Sequence, residues 1–278
     1  MIIIILVVLG LCFGSFVNAL VWRIHEQENS SKPKKRLPKK DLSIIHGRSM
    51  CPNCHHTLEA LELLPVISWL SLGGKCRYCK KPISWQYPLV ELATAALFVI
   101  SYLAWSDPLT GTALVIFGLW LVILVGFMAL TVYDLRWMLL PNRIIWPMTA
   151  IALIYSLIAT ITSTNPGHAL LLTIFAVLCS WGIFYLLYMV SDGRWIGGGD
   201  VKLGFIIGLL LGTPAKALLM LFIASLLGSL VALPLLAVGK AGRMTKLPFG
   251  PFLILATIIV QLVGVSVLAW YQRSVGLA

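Results

Sequence analysis

Long apolar stretches separated by short polar ones make up most of this chain. The first covers residues 1–22, and seven more follow residue 87, at 88–105, 112–133, 143–163, 168–190, 201–213, 215–238 and 249–271. A helix of about 20 apolar residues crosses a hydrocarbon core of about 30 Å, so these stretches predict transmembrane helices. Residues 201–213 are short for a crossing and meet Pro214, which predicts a tilted or broken helix.

Residues 23–87 interrupt this pattern with charges, prolines and four of the six cysteines. This insert is the candidate for a domain outside the bilayer. We therefore expect an all-α polytopic membrane protein of about eight transmembrane helices. Its predicted parts are a first helix at 1–22, the insert at 23–87 and a membrane-embedded domain at 88–278.

The composition supports this class. The chain is 59% hydrophobic and 11% charged, with a mean hydropathy of +0.95, outside the range of soluble domains. A net charge of +11 could suggest a nucleic-acid partner. The cations follow membrane topology instead, so we expect a lipid bilayer as partner and no nucleic acid.

Positive charges also predict the orientation. If the insert faces the cytoplasm, alternation puts the loops near 134–143, 191–202 and 239–248 on the same side. These four segments carry 19 of the 21 Lys and Arg residues. The positive-inside rule then places both termini on the outer face. Residues 1–22 lack a charged start and a cleavage site, which predicts a retained span.

Two aspartates stand at the ends of apolar stretches. With residues 1–22 counted as the first stretch, Asp134 ends the third and Asp200 begins the sixth. Alternation of the spans puts both at the cytoplasmic edge of the membrane. Two carboxyls around one water cannot both ionise easily, so one acts as general base while the other keeps its proton. That is aspartic-protease chemistry and needs no metal at the reacting centre. Alternatively, each caps a helix or pairs with a cation, Arg136 or Lys202.

Three glycines directly precede Asp200. Glycine admits backbone conformations closed to other residues and leaves no side chain in a substrate's path. Gly197, Gly198 and Gly199 are therefore candidate substrate-binding residues.

Other functions and other acids stay open at this point. Glu91 and Asp192 are candidates for supporting roles, although Glu91 equally suits a helix N-terminus and Asp192 a turn. A proton- or ion-coupled transporter would also use intramembrane acids beside broken helices.

Cysteines in the insert form two CxxC pairs, Cys51 with Cys54 and Cys76 with Cys79, separated by 21 residues. Four thiolates at this spacing favour a closed, structural Zn(II) site that folds a small insert with little core. A rubredoxin-like iron site, two disulfides or redox chemistry are the alternatives. A reducing cytoplasm makes disulfides a poor one.

Six motifs carry a resemblance to a known family. They are GSFVNALVWRI at 14–24, RSMCPNCHHTL at 48–58, LPVISWLSLGGKCRYCKKPISWQYPLVE at 64–91, DLRWMLLPN at 134–142, GGGDVKLG at 197–204 and LPFGPFL at 247–253. In this order, from about residue 10 to 253, they resemble the bacterial type IV prepilin peptidases, which are leader peptidases and N-methyltransferases.

The resemblance implies a GxGD membrane aspartic protease of the bacterial cytoplasmic membrane, with Asp134 and Asp200 as its catalytic pair. Such enzymes cut the leader from prepilins and pseudopilins on the cytoplasmic face. Forms with the cysteine insert typically then methylate the new N-terminus from S-adenosylmethionine. No glycine-rich Rossmann motif is present, so no residue is assigned to that donor.

Alternatives within this resemblance are a peptidase without methyltransferase activity and an inactive, zinc-dependent assembly factor. Trp195 stands where many relatives have glycine, which puts substrate preference in question. The pattern assigns neither an oligomeric state nor the particular pilins served.

Overall fold

A computed structural model describes residues 1–28, 41–44, 46–106, 108–238 and 247–276. The basic segment at 30–40 and most of the loop at 239–248 lie outside the described residues. The chain divides into two compact units. Unit 1 comprises residues 1–103 with 124–129, and unit 2 comprises residues 104–123 with 130–278.

The described residues are helical apart from loops, and they contain isolated β-bridges but no strand. Seven segments are long and apolar enough to cross a membrane. They are α1 (Ile2–Glu28), α3 (Gln86–Ala104), α4 (Gly111–Trp137), α5 (Asn142–Ile161), the continuous segment Pro166–Ser191, α9 (Pro214–Ala237) and α10 (Gly250–Ser274). The expected all-α polytopic fold is therefore confirmed.

The segment Pro166–Ser191 is one span built from three pieces. It consists of α6 (Pro166–Val177), a π-helical turn at Leu178–Gly182 and α7 (Ile183–Ser191). In the π turn, Ser180 Oγ donates to the carbonyls of Ala176 and Gly204, both at 2.9 Å. The widened turn thus joins this span to the helix that carries Gly204.

That helix is α8 (Gly198–Leu211), which contains the sixth apolar stretch. It has 14 residues and ends at Gly212, whose φ of +66° is left-handed, before α9 begins at Pro214. The predicted break is confirmed. From Val201 to Leu211 nearly every residue of α8 is buried, as expected for a helix that is apolar on all sides and enclosed by protein.

In unit 1, α1 and α3 run antiparallel in close contact. A Cβ atom at Gly14 would lie 2.5 Å from the Cα of Glu91, so only glycine allows this approach. Four residues further along α1, Asn18 donates to the carbonyl of Tyr87 at 3.1 Å. The insert adds a 3₁₀ turn at Ala60–Leu63 and a short helix, α2 (Ile67–Ser71).

Candidate active site and metal centre

Asp134 lies in the last turn of α4 and is buried, with 5% of its surface exposed. Its Oδ2 accepts the N–H of Gly250, the first residue of α10, at 3.1 Å. A Cβ atom at residue 250 would lie 2.6 Å from that same oxygen, so the position admits only glycine. The N-terminus of α10 thereby supplies both a donor and a favourable dipole to this carboxyl.

Asp200 is the third residue of α8 and lies in its first turn. Its backbone N–H donates to the carbonyl of Gly197, the N-cap of the helix, at 3.0 Å. Gly197 has φ −71° and ψ 145°, and none of Gly197, Gly198 and Gly199 has a positive φ. The expectation that these glycines are needed for unusual backbone angles is therefore wrong.

Unit 2 brings the two aspartates together. Asp134 and Asp200 are 66 positions apart in the sequence. Leu140, in the loop after α4, connects their surroundings. A Cβ atom at Gly199 would lie 2.9 Å from Leu140 Cβ, and one at Gly250 would lie 3.6 Å from Leu140 Cδ2.

Lys202 and Arg136, the two cations next to these acids in the sequence, contact other residues instead. Lys202 donates to Asn142 Oδ1 at 2.8 Å, and Arg136 stacks on Trp137, with its guanidinium 5.4 Å from the ring centre. The proposed pairing of the aspartates with Lys202 and Arg136 is therefore absent. The capping alternative holds in part, because Asp134 does accept a helix N-terminal N–H.

The four cysteines of the insert meet in unit 1. Their Sγ atoms all lie within 4.8 Å of one another, and Cys51 Sγ and Cys79 Sγ are 3.9 Å apart. A tetrahedral Zn(II) site with Zn–S bonds of about 2.3 Å requires S···S distances of about 3.8 Å. The donor set and its spacing therefore fit a metal held by Cys51, Cys54, Cys76 and Cys79.

Each CxxC pair forms the same local knuckle. In the first, the carbonyl of Cys51 accepts the N–H of His55 at 2.9 Å, and the N–H of Cys51 donates to the carbonyl of His56 at 3.0 Å. In the second, the carbonyl of Cys76 accepts the N–H of Lys80 at 3.0 Å, and the N–H of Cys76 donates to the carbonyl of Lys81 at 2.9 Å. Burial raises the pKa of the Cys51 thiol, and a bound cation would favour its thiolate.

Comparison with known proteins decides the family. Residues 8–105 match the bacterial peptidase A24 N-terminal domain, and residues 121–233 match the type IV leader peptidase family. A prepilin leader peptidase/N-methyltransferase of Pseudomonas aeruginosa is 33% identical over 279 residues, which cover 97% of this chain and 93% of that protein. The chain belongs to the type IV leader peptidase family.

Other relatives agree with this assignment. A protein of the same name from Aeromonas hydrophila is 31% identical over 94% of this chain and 91% of its own length. One from Burkholderia pseudomallei is 34% identical over 89% and 81%. No significant match to a solved structure was found. Family membership makes this chain a peptidase and gives no support to the transporter hypothesis.

Within this leader peptidase, the two family matches divide the candidate sites between them. The A24 N-terminal match contains the four cysteines, and the leader peptidase match contains both aspartates. Gly250 lies beyond both matches, yet it contacts Asp134 directly.

The two acids predicted to have supporting roles, Glu91 and Asp192, differ in burial. Glu91 is buried in α3, and its Oε2 accepts the N–H of Val66 at 2.7 Å. Asp192 is exposed, has a left-handed φ of +49° at the end of α7, and pairs with Arg194 at 3.6 Å. The interpretation of Asp192 as a turn residue is confirmed, while Glu91 connects the insert to α3.

Sequence reasoning missed two residues of the aspartate site, Gly250 and Leu140. A signal for Gly250 was present, because a Gly-Pro pair opens the last apolar stretch within LPFGPFL. Proline is favoured in the first turn of a helix, and the N–H groups of that turn have no partner within the helix, so the N–H of Gly250 can bind a side chain. Nothing in the sequence distinguishes Leu140 from its many apolar neighbours.

Proposed function

We propose that this protein is an aspartic endopeptidase whose catalytic residues are Asp134 and Asp200, and that it removes the leader from type IV prepilins and pseudopilins. The observation that carries the proposal is the convergence of the two aspartates around Leu140, which lies against Gly199 beside Asp200 and against Gly250, the donor to Asp134. The names of the relatives support the choice of substrate.

The proposed chemistry needs one ionised and one protonated carboxyl. The ionised carboxyl takes a proton from a water molecule as the water oxygen attacks the scissile carbonyl carbon. The protonated carboxyl first donates a hydrogen bond to the carbonyl oxygen, and a proton then passes to the leaving amine as the C–N bond breaks. The Gly250 N–H fixes Asp134 in place throughout, and no metal takes part.

Gly197 and Gly198 serve as the substrate-binding edge in this proposal. Both are exposed, and Cβ atoms there would make only ordinary contacts, at 3.5 Å to Asp200 and 3.7 Å to Tyr188. The chain itself therefore does not require glycine at these two positions, whereas Leu140 requires it at Gly199. An extended substrate strand that approaches the backbone closely would account for the glycines at positions 197 and 198.

The metal centre is proposed to hold Zn(II) in a structural role. Four sulfur ligands complete a tetrahedral shell and leave no open position for substrate. Zinc would supply the positive charge that keeps the four thiolates ionised, and it would stabilise the two knuckles.

Methylation of the new N-terminus from S-adenosylmethionine is the second proposed activity, supported by the names of the relatives. The described residues contain no strand and therefore no Rossmann unit, so no residue is assigned to the donor. Mass spectrometry of processed pilin separates the two forms of the proposal, because a methylating enzyme adds one methyl group and a peptidase alone adds none.

The sidedness of the site is also part of the proposal. The charge distribution supports a cytoplasmic aspartate site and cysteine insert in the bacterial inner membrane. Both termini lie outside in this proposal, which counts α8 as a short eighth crossing beside the seven long spans. Impermeant amine-reactive labelling of intact and opened spheroplasts tests it, with labelling of Lys80 and Lys81 expected only after opening.

Purified protein in detergent or lipid, mixed with a prepilin, tests the peptidase directly. The wild-type protein should release the leader, and Asp134→Asn and Asp200→Asn should each lower the rate by about 10²–10⁴-fold, the usual contribution of general acid–base catalysis. Asp192→Asn is the matched control, because this exposed carboxyl makes only a surface ion pair. Full activity in either of the first two variants would remove that residue from the mechanism.

A further inference from the structure

The insert of unit 1 exposes an unexpected apolar face. It consists of four side chains on the 3₁₀ turn and α2: Leu61, Leu64, Ile67 and Leu70, with 75%, 43%, 63% and 64% of their surfaces exposed. No charged residue occurs between Leu63 and Gly74. Exposed apolar patches of this kind mark interaction or membrane surfaces.

The depth of this face follows from the packing of α1 and α3. Three antiparallel contacts set the register of the two helices: Gly10 with Ala95, Gly14 with Glu91, and Asn18 with Tyr87. Glu91 is therefore level with Gly14. At 1.5 Å per residue, that level lies about 6 Å beyond Asn18 and about 14 Å beyond Arg23, the first cation of α1, toward the centre of the span.

Val66 is held at the same level. Its N–H donates to Glu91 Oε2 at 2.7 Å, and the backbone of Glu91 packs against Gly14 of α1. Val66 has φ +60°, an unusual value for a β-branched residue. Conformations of this kind persist only where surrounding contacts impose them, and the Glu91 carboxylate is such a contact.

Backbone N–H groups of the segment form hydrogen bonds to carbonyls of the same segment or to Glu91. Ser68 and Leu70 donate to the carbonyls of Leu64 and Val66, both at 3.0 Å. Val66 is the N-cap of α2, and its N–H is taken by Glu91. An unpaired backbone N–H or C=O is costly in hydrocarbon, so insertion requires hydrogen bonds of this kind.

Charged and aromatic groups border the segment. Glu62 Oε2 accepts the N–H of Glu59 at 2.9 Å, and Glu59 pairs with Arg77 at 3.6 Å. Trp69 and Trp85 have ring centres 4.2 Å apart, and Trp85, which directly precedes α3, is 66% exposed. Tryptophan is enriched at membrane interfaces, so Trp85 suits the headgroup level where α3 begins.

We propose that residues 63–70 form a re-entrant segment inserted into the leaflet where α1 ends and α3 begins, with Leu64, Ile67 and Leu70 against lipid acyl chains, Glu62 at the headgroup edge and Glu91 as the anchor. The face continues the lipid-exposed side of α3, where Leu89 is 60% exposed. The insert then does not lie wholly outside the bilayer, contrary to the sequence-based division at residue 87.

Site-specific fluorescence in proteoliposomes tests this depth. A small environment-sensitive fluorescent amino acid is introduced by amber suppression at Ile67 or Leu70 of the otherwise unchanged full-length chain. Leu89 on α3 is the membrane control, and exposed Asn53 in the first knuckle is the water control. Quenching is measured with aqueous iodide and with nitroxide-labelled phospholipids.

Positions 67 and 70 should resemble position 89, with strong quenching by the labelled lipids and iodide quenching several-fold weaker than at position 53. Iodide quenching equal to that at position 53 would overturn the proposal. A second result would also overturn it: labelled lipids fail to quench positions 67 and 70, while added prepilin protects them from iodide. The face would then be a peptide-binding surface.

Variants of Glu91 test the anchor separately. Glu91→Gln keeps an acceptor oxygen for the Val66 N–H, whereas Glu91→Leu removes it at similar volume. The Leu variant should make position 67 several-fold more accessible to iodide, and the Gln variant should largely retain its protection. Equal protection in both variants, in protein that elutes as a single species, would show that Glu91 does not anchor the segment.

Discussion

The cysteine cluster of unit 1 and the aspartate site of unit 2 are assembled in opposite ways. The cluster draws its ligands from residues 51–79, and each pair is shaped by backbone hydrogen bonds within its own knuckle. The aspartate site joins Asp134, Asp200 and Gly250, across 116 positions, from the ends of three helices. The first depends on local geometry and a bound cation, and the second depends on how helices pack.

Metal removal should have the largest effect and should separate the two sites. Structural zinc contributes about 10–16 kcal/mol to folding in zinc-finger peptides, so Cys51→Ser or a strong chelator should unfold the knuckles. Limited proteolysis should then cut within residues 46–85 while residues 130–238 stay protected. Cys12→Ser is the matched control, because this thiol lies in α1 outside the cluster.

Acidification should release the same metal, because each ligand must be a thiolate and protons compete for it as the pH falls. Metal content after dialysis at decreasing pH measures this. Tight retention with full protection after all four cysteines are replaced would contradict a cysteine-bound metal.

Gly250→Ala tests the dependence of the aspartate site on helix packing. The new Cβ would lie 2.6 Å from Asp134 Oδ2, so the carboxyl or α10 must shift. A displacement of about 1 Å can cost about 10²-fold in rate, and we expect a loss of that order in leader cleavage.

Gly228→Ala is its control, since a Cβ there meets Phe249 at an ordinary 3.5 Å. Unchanged cleavage by Gly250→Ala would mean that the contact between α10 and Asp134 has no part in catalysis.

Two glycines before Asp200 should respond differently to alanine. At Gly199 the Cβ would press on Leu140 at 2.9 Å, and overpacking of this kind costs about 1–3 kcal/mol of stability. At Gly198 the chain has room, so Gly198→Ala should keep its stability but raise KM for prepilin. Thermal unfolding and steady-state kinetics measure the two effects. A Gly198→Ala variant with unchanged KM would contradict a substrate strand at this edge.

Lys202→Gln should have the smallest effect. The ammonium group bonds Asn142 at an exposed position, and such contacts contribute about 0–1 kcal/mol. Stability and the pH profile of cleavage should therefore barely change. A marked shift of the acid limb of that profile would show that Lys202 neutralises an aspartate after all.

The contrast between the sites also explains how far sequence could predict them. Spacing alone assembled the four cysteines, because a CxxC knuckle carries its own geometry. Topology placed Asp134 and Asp200 at one depth, because alternating spans constrain depth in a membrane. Lateral contacts were beyond prediction: Leu140 and Gly250 act through packing, and nothing in a run of apolar residues marks which side chain faces which helix.

For Glu91, the sequence predicted the location of the residue but not its contact. Its position in the second apolar stretch placed it near the membrane edge, where a helix N-terminal acid was an equal alternative. Its bond to Val66 depends on the fold of the insert, which carries no periodic pattern at residues 59–72.

The central claim is that Asp134 and Asp200 act as one catalytic unit, and a double-mutant comparison of leader cleavage tests it most directly. Residues of a single unit are strongly non-additive. The account predicts that Asp134→Asn, Asp200→Asn and the double variant all fall to nearly the same residual rate. Losses that multiply in the double variant would show that the two carboxyls act independently and would contradict the account.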